Sequence, residues 1–136
     1  MFLSSSEISS RLVSDLRLGL PIILYDAKTY FLTAAIETLY SEKLDKIMEI
    51  AKNQNFEIAI TNRRAKVLNV RIYNESVTRI SIREKVNIQL LQAIADPSKD
   101  LDYPLKGPFQ SERNGEFNIA SVSLSLCKKA RLLPAS

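Results

Sequence analysis

The chain has 136 residues, 46% hydrophobic and 25% charged, with a formal charge of +4, no histidine, one cysteine and three glycines. That length and balance fit one globular domain with a conventional core and exclude a fibrous or largely disordered chain. The lone Cys127 excludes an intrachain disulfide and points to a reducing, cytoplasmic setting, and neither a secretory leader nor an apolar run long enough for a bilayer is visible.

In chain order, Ser4 to Ser6 offer N-caps for a helix that places Ile8, Leu12 and Leu16 on one face, and Gly19 with Pro21 stops it. Two short apolar runs, 21–25 and 30–35, flank a turn at 26–29 and predict a hairpin. Ser41 is expected to cap a second helix carrying Leu44, Ile47, Met48 and Ala51, broken at 53–55. Residues 56–61 read as a strand, and Asn62 as the cap of a short helix reaching Leu68.

Further strands are expected at 69–73 and 77–82 around Asn74. Ser81 and Glu84 have capping-box spacing, so a helix with Ile88, Leu91 and Ala95 inward should follow and end before Pro97. Residues 96–114 read as an irregular connector and 117–133 as a C-terminal helix through Ile119, Val122, Leu126 and Ala130. No repeat or heptad array is present, so the expected fold is one α/β domain over 1–136, α+β being possible, with a mixed sheet and helices.

Catalytic chemistry finds few materials here. Zinc or iron sites need clustered His, Cys or carboxylates, and phosphate loops need closely spaced glycines, whereas Gly19, Gly107 and Gly115 stand apart. No metal and no cofactor is expected. Asp26, Glu37 and Glu57 are available for acid–base work, but no spacing pairs them. Cys127 sits in an apolar helical stretch where burial would leave it inert. Two basic clusters remain: Arg63, Arg64 and Lys66, a candidate anion or partner patch, and Lys128, Lys129 and Arg131. Neither is dense enough to predict more than weak, salt-sensitive nucleic-acid binding.

Asp15, Arg17, Gly19 and Pro21 with the apolar residues 22–24, followed by Phe31, Leu32, Thr33, Ala34 and Ala35, resemble the opening of 3,4-dihydroxy-2-butanone 4-phosphate synthase. The resemblance continues through 41–52, the strand at 58–61 and the segment 62–68, about half of the chain. Residues 93–101, 104–109 and 128–135 resemble the connector and final helix of the degenerate synthase-like domain that precedes the catalytic domain in proteobacterial GTP cyclohydrolases II.

The departures are specific. The synthase holds magnesium and substrate with an acidic loop between its first two strands, and here that loop, 25–30, has the single carboxylate Asp26. The synthase's cysteine has no counterpart near Glu57 and Ile58, its His-Thr-Gly motif is missing, and the zinc-binding cysteines of a cyclohydrolase are absent. The resemblance therefore implies a non-catalytic bacterial domain of riboflavin biosynthesis, a fragment or separately encoded, with a folding, dimerisation or regulatory role. It would act with a GTP cyclohydrolase II domain in cis or in trans, as a homodimer, with Leu126, Leu132 and Leu133 as candidate interface residues. An active synthase-type lyase and a basic polyanion-binding domain are the alternatives.

Overall fold

The computed structural model describes residues 4–26, 29–52, 56–82, 86–103, 107–115 and 117–136. Helix α1 (Ser5–Arg17) begins where the Ser4 hydroxyl accepts the Glu7 amide, and buries Leu16. Gly19 ends it at φ 78°, where a β-carbon would lie 2.6 Å from the Thr38 carbonyl, so only glycine fits the turn. Strands β1 (Ile22–Asp26) and β2 (Thr29–Thr33) then pair antiparallel from Ile22↔Thr33 to Asp26↔Thr29, as the hairpin reading expects. The turn residues 27 and 28 lie outside the described residues.

Helix α2 (Ser41–Ile50) buries Leu44 and Ile47. Tyr40 rather than Ser41 occupies its cap position and makes no side-chain cap bond. Strand β3 (Glu57–Thr61) runs into α3 (Asn62–Val67), whose cap is the Thr61 hydroxyl, accepting the Arg64 amide at 3.1 Å. Asn62, expected as the cap, instead ties the start of α3 to the segment entering the next strand: its amide donates to the Asn74 carbonyl and its oxygen accepts the Thr78 hydroxyl, both at 2.7 Å.

The strand expected at 69–73 does not form. Asn69 takes φ 57° and closes α3, and the Val70 amide bonds back to the Ala65 carbonyl. Strand β4 (Val77–Ser81) pairs antiparallel with β3 from Glu57↔Ser81 to Thr61↔Val77. Ser81 thus belongs to a strand; Glu84 lies outside the described residues, and Asn87 caps α4 (Ile88–Ala95) by accepting the Leu90 amide.

Within the connector, Asp96 caps a 3-10 turn (Pro97–Lys99), and the short β5 (Gln110–Ser111) pairs with Ile80 and Ser81 of β4. Helix α5 (Phe117–Lys129) ends four residues earlier than its periodicity suggests. Arg131 adopts φ 60°, the Leu132 amide bonds to the Cys127 carbonyl, and the chain turns back on itself.

The architecture is a small α/β domain with two antiparallel sheets, β1-β2 and β3-β4-β5, where a single mixed sheet was expected. Alternation along β3 divides the core. Ile58 and Ile60 join Leu44, Ile47, Leu91 and Ile94 on the side of α2 and α4, whereas Ala59 joins Ala120 and Leu124 of α5. Under the same α5, the inner hairpin face packs Ile22 and Leu24 against Leu16, Leu126 and Cys127. Helix α5 therefore spans both sheets. Residues 133–136 return alongside β3: Ala135 bridges Ile60, Ser136 exchanges backbone hydrogen bonds of 2.8 and 3.1 Å with Ala59, and the Ile36 amide donates to Ala135. No helix among the described residues is long and apolar enough to cross a membrane.

Candidate functional site

The two sheets do not meet along their whole length. Between β2 and β3 lies a cleft of about 580 Å³. Its walls are residues 29–34 of β2 and its continuation on one side and 56–59 of β3 on the other; Leu44, Ile47 and Ile50 of α2 lie on one face and Ile119, Ala120 and Ser123 of α5 on the other. The lining is mainly aliphatic and aromatic, the character of binding sites in general.

Among the described residues one side-chain ion pair stands at the cleft. The Arg79 guanidinium donates to both Glu57 carboxylate oxygens at 2.9 and 2.6 Å and to the Asn114 carbonyl at 2.7 Å, and stacks 5.1 Å from the Phe117 ring. Gly115, at φ 112°, allows this approach, because a β-carbon there would lie 2.7 Å from an Arg79 nitrogen. The bidentate pairing is charge-assisted and fixes both side chains. Glu57 is thereby committed to a cation, and each of the three Arg79 guanidinium nitrogens donates to Glu57 or to the Asn114 carbonyl. Deeper in, the Ser123 hydroxyl lies 2.8 Å from the Ala120 carbonyl and 2.8 Å from the Ser136 hydroxyl.

The residues singled out from sequence do not converge on this cleft, Glu57 excepted. Arg63 and Lys66 are exposed on α3, but Arg64 is 8% exposed and turned inward, which removes it from the expected anion patch. It donates to both Asp100 oxygens at 2.8 and 2.7 Å and to the carbonyls of Ile94 and Ala93 at 2.7 and 3.1 Å, pinning the end of α4 to the connector. Lys128, Lys129 and Arg131 are exposed at and after the end of α5.

Of the three candidate interface leucines, Leu126 is 6% exposed in the core beneath the hairpin, and Leu132 packs partly buried against the same cluster. Leu133 lines a smaller pocket with Ile36, Glu37 and Gln92. The chain's own turn after α5 covers much of the surface that a neighbour was expected to cover.

Glu37 accepts the Leu133 amide at 2.8 Å and anchors that turn. Cys127 is fully buried, its Sγ 3.7 Å from the Ala135 carbonyl, and burial pushes the thiol up to about 11, far from the thiolate a nucleophile requires. Asp26 closes the hairpin opposite Thr29. Among the described residues no group of three or more His, Cys, Asp or Glu side chains is placed to hold a metal ion.

No motif in the sequence marks the cleft, because many separate segments, from Thr29 to Ser136, build it. No family model, no curated protein and no solved structure matches the chain.

Proposed function

We propose that the chain is a non-catalytic binding module that engages its partner through the cleft between β2 and β3. One observation carries the reading: the cleft is lined mainly by apolar side chains, and Glu57, the one acidic side chain on its walls among the described residues, is paired through both carboxylate oxygens with Arg79. The chemistry such a surface offers is the removal of apolar area from water. The resemblance to the degenerate synthase-like domain of GTP cyclohydrolases II gives the partner its identity, a GTP cyclohydrolase II domain of riboflavin biosynthesis.

Titration of the chain against a GTP cyclohydrolase II domain by calorimetry tests this. Leu32 and Ile50, at 38% and 73% exposure on the cleft walls, accept a charge without disturbing the core, so Leu32→Glu with Ile50→Glu should weaken binding at least about tenfold. Absence of binding by the parent chain, or unchanged affinity of the variant, refutes the reading. Self-association of the parent in a sedimentation series, lost in the variant, would make the occupant a second copy instead. Incubated with ribulose 5-phosphate and magnesium, the chain should release no formate; product above the no-protein control refutes its non-catalytic part.

A further inference from the structure

Among the described residues strand β2 is paired on one side only, to β1, and it is β2 and not β1 that lines the cleft. Strand β3 is likewise paired to β4, while its other edge is engaged at Ala59 and Ile60 by residues 135 and 136. Beyond those contacts the alternation that turns the Ala59 amide and carbonyl toward Ser136 turns those of Glu57 the same way and those of Ile58 toward β4, and no strand among the described residues pairs with the edge at Glu57. The alternate outward-facing donors and acceptors of β2 and those of Glu57 thus face one gap, the arrangement that templates strand addition.

The width of the gap is set at its closed end. There a single extended segment, Ala135 with Ser136, bonds on one side to Ile36 and on the other to Ala59. One intervening strand holds its two neighbours about 10 Å apart, twice the usual strand spacing. A helix, about 10 to 12 Å across with its side chains, leaves no room for the flanking backbones. A strand in line with the existing rungs runs antiparallel to β3, as Ala135 does, and meets Ile58 and Glu57 next. With α2 on one face and α5 on the other, both sets of its alternating side chains are covered, which calls for a continuous apolar run rather than an amphipathic one.

We infer that the cleft accepts an extended, apolar, proline-free segment of the partner polypeptide, which adds as a strand antiparallel to β3 and joins the two sheets into one. The five residues of β2 set its length at about five, some 17 Å. The inference rests on the binding-module reading and specifies the form in which the partner is bound.

The probe is a lysine-flanked peptide with the core Val-Ile-Val-Ile-Val, against the same peptide with proline at the central position, which removes a ladder donor. Amide hydrogen exchange at Glu57 and at the alternate β2 residues whose amides point away from β1 should slow at least about tenfold at saturation, and the proline peptide should bind about tenfold more weakly. In parallel, the same five residues fused directly after Ser136 should raise the melting temperature by several degrees over the proline-containing fusion. Equal behaviour of the two peptides and of the two fusions, or binding without slowed exchange at those amides, overturns the inference. A cyclohydrolase domain that binds without protecting these amides removes the strand and leaves the module reading standing. A peptide that adds as a strand while the domain fails to bind does the reverse.

Discussion

The β1-β2 hairpin and the β3-β4 pair are built alike, each from two five-residue antiparallel strands in full register. They differ in what covers them. Ile58, Ile60, Val77 and Ile80 are at most 1% exposed, because helices lie on both faces of that pair. On the hairpin only the inner face meets helices, and its outer cross-strand pairs remain open: Ile23 is 64% exposed opposite Leu32, and Tyr25, at 56%, has its ring 4.5 Å from that of Tyr30, at 71%. Strand pairing alone does not make a core; cover on both faces does. The half-covered hairpin leaves its outer face exposed, and among the described residues no further strand pairs with its β2 edge at the cleft.

The largest test of this contrast is truncation. Ile60→Ala should cost about 2 to 5 kcal/mol in denaturant unfolding, through lost burial and the cavity left behind, whereas Ile23→Ala should stay within about 0.5 kcal/mol. Equal costs would erase the distinction. Next, Arg79→Met should cost about 1 to 3 kcal/mol, because it leaves Glu57 and the Asn114 carbonyl without their donor; adding Glu57→Gln should restore part of that loss.

Helix α5 serves both regions, and Cys127 reports on it. Burial raises the thiol from 9.0 to about 11, so above pH 9 the unfolded chain loses a proton that the folded chain keeps. Its contribution is complete below pH 9 and is lost as pH rises to about 11, on the order of 2 kcal/mol over that window. Comparing stability against pH for the parent and Cys127→Ala should show the steeper fall in the parent. The smallest effect belongs to the hairpin surface: Tyr30→Ala should cost about 0.2 to 1 kcal/mol, the range for an exposed cross-strand pair.

Much of this fold was legible wherever one local rule decided the outcome. The Ser4 cap, the Gly19 stop, both hairpin strands and the β3 run agree with their residue patterns. The misreadings fall where distant residues decide. Residues 69–73 have strand composition, but Asn69 is needed to close α3. Leucine spacing continues through 133, yet Glu37 and Ala59 capture the amides beyond Arg131 and bend the chain back. Arg64 and its neighbours look alike as letters; only the placement of Asp100 and the end of α4 turns one of them inward. The cleft, made from edges that nothing local marks, was not legible at all.

The return of residues 133–136 also orders events in time. The Glu37–Leu133 bond joins groups 96 positions apart, and the rungs to Ile36 and Ala59 close loops of similar reach. Loops that long form late, since their closure entropy is met only after local helices and the hairpin are in place. The hairpin and the three-stranded sheet should therefore assemble as separate units and lock into mutual register in a final, slower phase. Substituting Glu37 should hasten unfolding and leave the refolding rate almost unchanged.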